Sequence, residues 1–370
     1  MRIVLVRRKK PLKYGGLVVA LLSLLSGIFV FTIFAWLIGV NPYPVVETIV
    51  TTFIFPGVVK DFIILTLLGY ALLIAFKGAL WNIGAEGQMH MAFLVSIYIT
   101  LIVFFTTEKS LPLYISIGVI LLSIVAAVAA GALWGGLAGV IKAYAGVDEV
   151  PVTLILNYIA YFIGDILVYG PFRGKYVYGY ARTDLIPDPY KLSIPVQRQL
   201  SGNALIDTVT GYMAEFATYA VWLVALILVL ILTYWLLNKS NIGLRIKILG
   251  SNPDYLVSLG YDVRKTMVLT FMLSGAIAGL TAALYYHGSL YRIEYPLEYN
   301  TASYGYLAIL VAWLSMLDVY LVPLSAYIVS AVILGSQRVS SLPSVREAFT
   351  RLQLGGAEMA FKLLMFGSIP

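Results

Sequence analysis

The densest group of chemically able side chains is Trp81-Asn82-Ile83-Gly84-Ala85-Glu86-Gly87-Gln88-Met89-His90, set between two apolar runs. Asn82, Glu86, Gln88 and His90 can exchange hydrogen bonds with a polar solute, and Gly84 and Gly87 let the backbone break. At membrane depth such groups are expensive unless they face protein or water. A broken helix would also present free N–H and C=O groups. Asn82, Glu86 and His90 fall at i, i+4 spacing wherever the segment stays helical. Two readings follow: the wall or gate of a solute pathway, or a turn whose polar groups satisfy one another. The number of polar groups favours the pathway.

A second group is Asp148-Glu149-Val150-Pro151, with Thr153 and Asn157 in the run that follows. The two acids suit the positive end of a helix dipole, which is reason enough for them. Asn157, one turn beyond Thr153 in an apolar helix, is the better pathway candidate. Asp165 and His287 read as solvated groups near the outer surface. Tyr285, Tyr286, Tyr291, Tyr295, Tyr299, Tyr304 and Tyr306 read as an interfacial aromatic belt. Stacking on a planar solute is the lesser alternative.

No enzyme pattern emerges. The chain has no cysteine, no H-E-x-x-H and no G-x-S-x-G. Gly170-Pro171-Phe172-Arg173-Gly174-Lys175-Tyr176 is one residue short of a phosphate loop and has Tyr where Mg²⁺ coordination needs Ser or Thr. No cofactor is expected on this chain. If ATP drives the protein, another chain hydrolyses it.

These residues need long apolar elements to position them, and the composition supplies little else. Of 370 residues 61% are hydrophobic and 12% charged, which excludes a soluble globular domain and indicates an all-α polytopic membrane protein in contact with lipid. The net charge of +7 is no nucleic-acid signal, because the basic residues stand at the ends of apolar runs. The basic start runs into an apolar segment too long for a signal peptide, so no cleavable leader is expected.

Residues 1–13, with Arg2, Arg7, Arg8, Lys9, Lys10 and Lys13, form a basic tail that the positive-inside rule places in the cytoplasm. Apolar runs follow at Tyr14–Val40, Asp61–Leu80, Met89–Phe105, Leu113–Ile141, Pro151–Gly170 and Thr218–Leu237. Six crossings return the chain to the cytoplasm. Thr266–Tyr286, Thr301–Leu317, Val319–Ser336 and Leu354–Phe366 then make about ten spans in one domain over 1–370. That count leaves Arg338, Arg346 and Arg351 outside, against the charge rule. Either the last run does not cross, or Thr301–Ser336 holds a re-entrant piece. The polar segment 171–216, rich in Pro and Tyr, is expected to be a folded external loop. Gly131, Gly135 and Gly139, with Gly275 and Gly279, have the four-residue spacing of close helix packing.

Between the sixth and seventh runs lies a polar loop, 238–265, with a short helix at its centre. Ser251 or Asn252 caps it, Pro253 suits its first position, Asp254 favours its positive end and Gly260 ends it. Its two turns carry Tyr255, Leu256, Val257 and Leu259. A helix so short is marginal alone. It serves either to dock a soluble partner or to rest on the membrane surface.

Three segments together resemble one family. Asn82-Ile83-Gly84-Ala85-Glu86-Gly87-Gln88 is similar to the N-I-G-x-E-G-Q signature of ABC importer permeases for nucleosides and simple sugars, in the branched-chain amino acid-type superfamily. Gly146–Val150 with Leu154–Ala160 resembles their N-E-V…L-N-Y-I-A segment, with Asp148 in place of the usual Asn. Gly243-Leu244-Arg245, Asn252-Pro253, Gly260 and Leu273–Leu280 resemble their coupling segment and the span after it. The resemblance covers about Leu80–Leu280; Gly305-Tyr306…Ile309…Val311-Ala312 is only roughly alike. It implies a permease in a prokaryotic plasma membrane that works with a second permease subunit, a cytoplasmic ABC ATPase and an extracellular substrate-binding lipoprotein. It also implies that Asn252–Gly260 is the coupling helix. On this reading Asn82, Glu86, Gln88 and Asn157 lie near the translocation path. The expected function is ATP-driven import of a nucleoside or simple sugar by alternating access. The rival from another class is an ion-gradient-driven transporter, which needs a charged relay at the midplane and matching repeats.

Overall fold

The computed structural model describes residues 15–351 except 109, 176–178, 194–195 and 197–200. The basic tail 1–13 and the run Leu354–Phe366 lie outside the described residues. The apolar runs, free of interior proline apart from turns near their ends, form helices. In chain order these are α1 (Gly15–Leu37), α2 (Pro42–Thr52), α3 (Val58–Lys77), α4 (Ala85–Ile97), α5 (Leu113–Val140) and α6 (Glu149–Tyr169). α7 (Ala204–Thr218), α8 (Ala220–Lys239), α9 (Asn241–Ser251), α10 (Pro253–Ser258) and α11 (Val263–Tyr285) follow. α12 (Tyr304–Leu314), α13 (Val322–Ser340) and α14 (Pro343–Arg351) complete the set. α4, α5 and α11 each run on into a wider π-helical turn. Among the described residues the one extended pairing is an isolated bridge between Arg182 and Glu294. The protein is all-α, as expected.

Seven of these helical stretches are long and apolar enough to cross a membrane: Val58–Lys77, Ala85–Val103, Leu113–Ala145, Glu149–Tyr169, Ala220–Lys239, Val263–Leu290 and Val322–Ser340. Two shorter apolar helices, Ser26–Leu37 and Tyr304–Leu314, add to them. The run expected as a span at Thr301–Leu317 is shorter than that. α12 has 11 residues, about 16 Å at 1.5 Å per residue, against a hydrocarbon core of about 30 Å. It follows a 3₁₀ turn at Leu297–Thr301, and Ala302 and Ser303 take left-handed φ values of 48° and 60° just before it. The re-entrant alternative is the one this geometry favours.

The chain forms two compact units. One comprises Met1–Phe55 with Ala331–Pro370. Its core gathers Phe31, Ala35, Val40, Val45, Ile49, Val339, Val345 and Ala348. Arg338 Nη1 donates to Thr52 Oγ1 at 2.9 Å, and its guanidinium lies 4.4 Å from the Phe55 ring centre. The helix α2 was not foreseen from the sequence. Asn41 Oδ1 accepts from Tyr43 N, and prolines occupy its first turn.

The other unit, Pro56–Ser330, holds every candidate site residue. Its backbone is the α5–α11 pair, and the glycine spacing explains it. A Cβ on Gly131 would stand 2.3 Å from the Gly275 carbonyl oxygen, and one on Gly279 2.3 Å from that of Ala127. No other residue fits there. α3 is buried on nearly all sides, with Tyr70 Oη donating to the Val319 carbonyl at 3.2 Å. The described parts of the connector from α6 to α8 pack back on the chain. Thr183 N donates to Ile293 O, Ile186 N to Tyr291 O and Leu192 N to His287 O, tying it to the chain after α11.

Candidate functional site

The chain leaves α3 at Gly78 and does not re-enter a helix until Ala85, so the sequence Trp81–Gly84 is a break between two helices. Asn82 closes it locally, its Oδ1 accepting from Gly84 N at 3.0 Å and from Gln88 Nε2 at 3.0 Å. Its Nδ2 donates to Ser274 Oγ on α11 at 2.9 Å and to Gln88 Oε1 at 3.3 Å. Asn157 on α6 completes the ring. Its Oδ1 accepts from Gly87 N at 2.8 Å, while its Nδ2 donates to Ile83 O and to Tyr306 Oη, each at 3.0 Å. Because Gly87 N can only donate, that contact fixes which end of the Asn157 amide is oxygen.

Glu86 is 1% exposed and faces α12. Thr301 Oγ1 donates to one carboxylate oxygen and Gly305 N to the other. A carboxylate at the first turn of α12 meets the positive end of that helix. One turn on, His90 places Nδ1 2.8 Å from Glu86 O and Nε2 3.0 Å from Leu297 O. All four pathway candidates, Asn82, Glu86, Gln88 and Asn157, therefore converge, and their polar atoms are engaged by the chain itself. Ser274, Thr301 and Gly305 were not singled out for this site. Ser274 immediately precedes Gly275 on α11, and that glycine spacing was the signal available for it.

Three readings of single residues are corrected. His287 is fully buried, with Nδ1 2.9 Å from Tyr190 O and Nε2 2.8 Å from Ser123 Oγ. It is held by the folded connector and α5. Asp165 is half-buried and accepts from Leu297 N at 2.8 Å, anchoring the turn before α12. Tyr285, Tyr286 and Tyr304 are core residues rather than a belt. Tyr304 Oη donates to the buried Asp61 at 2.5 Å, and Thr100 Oγ1 pairs with Tyr286 Oη at 3.0 Å. Tyr299 stays exposed.

At the far end of α11 lies the short helix read from the sequence. Asn252 Oδ1 accepts from Tyr255 N at 3.1 Å, Pro253 opens α10, Asp254 sits in its first turn and Gly260 leaves it with φ +80°. The four apolar side chains do not share one outward face. Tyr255, Val257 and Leu259 are 54%, 60% and 45% exposed, whereas Leu256 is fully buried. Leu256 packs in a cluster with Leu80, Ala138, Val152, Leu156, Leu249 and Phe271. Spacing on a two-turn helix cannot tell which of four neighbours turns inward. Nearby, Lys142 Nζ meets Glu149 at 2.6 Å, and Trp81 N donates to Glu149 Oε1 at 3.2 Å. Asp148, as expected, caps α6 by accepting from Val150 N. On α9, burial and the Lys77 charge hold Lys247 below the usual lysine range.

The profile of the family described as branched-chain amino acid transport system / permease component matches residues 54–355. The chain is similar to the guanosine ABC transporter permease NupP of Bacillus subtilis, 27% identical over 58% of this chain and 55% of that one. It is similar to the nucleoside ABC transporter permease NupB of Lactococcus lactis, 28% identical over 61% of this chain and 56% of that one. The glucose ABC transporter permease TsgB13 of Haloferax volcanii is 26% identical over 80% of this chain and 72% of that one. The chain thus spans about half the length of the first two relatives. No solved structure matches it.

Proposed function

The chain belongs to the permease-component family of branched-chain amino acid transport systems, and from that membership we propose that it is the transmembrane subunit of an ATP-driven importer. Its solute is a nucleoside, with a simple sugar as the alternative within the same reading. The resemblance to guanosine, nucleoside and glucose permeases supports that range. The subunit pairs with a second permease chain, receives solute from an extracellular binding lipoprotein and is driven by a cytoplasmic ABC ATPase. The basic residues of the tail and of 238–265 support a cytoplasmic N-terminus and a cytoplasmic α10.

The observation that carries the reading is the division of α10. Tyr255, Val257 and Leu259 face outward while Leu256 roots the helix in the same cluster as Leu80, Val152 and Leu156. A push on α10 therefore reaches the break at Leu80–Gly84 and the helix carrying Asn157. That is the linkage alternating access requires. The ion-gradient rival needs a free charged relay, and both oxygens of Glu86 are already engaged. The test is affinity purification of the tagged full chain from its native membranes, wild type against Tyr255→Asp with Leu259→Asp. The reading expects wild type to retain an ABC ATPase, identified by mass spectrometry, and the double variant to lose it at equal membrane level. Equal retention of the ATPase by both proteins contradicts it.

A further inference from the structure

Where α7 leads into α8, beside the π-helical turn that ends α11, the fold leaves a cavity of about 330 Å³. Sites for small molecules measure about 300–1,000 Å³. Its polar wall is Ser193, Glu215, Thr218, Tyr219, Ser289 and Tyr291, and among the described residues no Lys, Arg or His lines it. Two of the hydroxyls are held by the chain. Thr218 Oγ1 accepts from Val196 N at 3.2 Å, and Tyr291 Oη donates to Gly288 O at 2.9 Å. Ser193 differs from them. It is 4% exposed, yet its Oγ has no hydrogen-bond partner among the described residues. Gly288 forms another part of the wall, and a Cβ there would stand 2.3 Å from the Trp222 indole nitrogen, which is likewise buried and unpartnered. Buried polar atoms without partners are exceptions in folded proteins. A hydroxyl both donates and accepts, so a ligand rich in hydroxyls answers either atom.

We propose that this cavity is a subsite on the outer side of the membrane for a neutral, hydroxyl-rich ring, either the ribose of a nucleoside or a monosaccharide. Glu215 accepts from a vicinal pair of hydroxyls, and Ser193 Oγ pairs with another. A carboxylate has about four lone-pair sites on its two oxygens, so it takes a diol beside any contact it makes within the chain. With no cation in the lining, the same carboxylate repels an ionised phosphate. From the cavity, packed rings run inward. Tyr219 meets Trp222 at 4.7 Å, Trp222 meets Tyr285 at 6.5 Å and Tyr285 meets Tyr304 at 5.7 Å between ring centres. Tyr304 opens α12, where Gly305 N holds Glu86. The cavity therefore stands at the outer end of the core that carries Asn82, Glu86, Gln88 and Asn157. This deepens the importer reading and rests on it.

The experiment is equilibrium dialysis of the detergent-solubilised full chain against labelled guanosine and labelled glucose. Import of both solutes by cells carrying the complete transporter is measured alongside. Wild type is expected to bind guanosine, glucose or both, and guanosine monophosphate is expected not to compete. Guanosine alone identifies the ribose of a nucleoside as the ligand, and glucose alone a free sugar. Glu215→Gln should weaken binding about tenfold and Ser193→Ala about threefold, the size of one lost hydrogen bond to a charged and to a neutral group. Where guanosine binds, 2′-deoxyguanosine lacks one hydroxyl of the pair and should bind wild type about tenfold more weakly. In Glu215→Gln the two nucleosides should bind alike, a coupling that a merely structural role would not produce. Ala214→Phe fills the cavity from α7 and should abolish binding at an unchanged melting temperature. Should that variant not fold, Glu215→Gln and Ser193→Ala decide the matter. Import without binding to the chain overturns the subsite and leaves the importer standing. Binding that a folded Ala214→Phe, or Glu215→Gln, leaves intact does the same. Import of neither solute overturns the importer reading and the subsite with it.

Discussion

Asn157 and Glu86 show how a polar side chain survives among apolar helices. Each is completely or almost completely buried, and each divides its hydrogen bonds between one side chain and backbone groups that a helix break or a helix start leaves free. Asn157→Leu would strand Gly87 N and Ile83 O, at about 1–3 kcal/mol for each buried group left unpaired. A marked fall in melting temperature of the detergent-solubilised protein is expected. Glu86→Gln retains an acceptor for Gly305 N and a donor for Thr301, so it should keep more than half of wild-type uptake, whereas Glu86→Ala should lose most of it. Abolition of uptake by Glu86→Gln would instead mark a charge relay. The convergence of Asn82, Glu86, Gln88 and Asn157 was legible in the sequence, because four polar groups flanking apolar runs must find partners. Their partners were not. Thr301 and Gly305 lie more than two hundred residues from Glu86, and no local pattern announces such a contact.

At the scale of the element, α10 was readable at both ends because caps are local chemistry: Asn252, Pro253 and Gly260 do in the structure what their types suggest. Which face it buries was not readable, since that depends on the cluster around Leu256. The two faces give opposite expectations. Leu256→Ala should cost about 2–5 kcal/mol of stability, as large-to-small changes in cores do. Tyr255→Asp with Leu259→Asp should leave the melting temperature within a degree or two while abolishing ATPase retention. α12 was left open between a span and a re-entrant piece for a related reason. An apolar run of Thr301–Leu317 has the composition of a span, but only Tyr304–Leu314 is helical, and its start is set by Glu86 from another helix.

For the whole molecule, the close pair α5–α11 ties the helix that follows α10 to the helix that packs beside Gln88, next to the break. The glycine spacing that predicted this contact is a reliable guide because backbone approach tolerates nothing larger. Two glycines of α5 make the contrast. Gly131→Leu drives a side chain into the Gly275 carbonyl and should prevent accumulation of folded protein, whereas Gly118, with nothing within 4 Å of a built Cβ, should accept Leu with little change. Protein level after membrane extraction and size-exclusion profile distinguish the two.

The most direct measurement of the central claim is solute accumulation in proteoliposomes holding this chain, its co-purified permease and ATPase, with the binding lipoprotein and labelled guanosine. Accumulation that requires ATP and persists when ion gradients are collapsed is the result expected. Accumulation without ATP that vanishes when an ion gradient is collapsed would contradict the account.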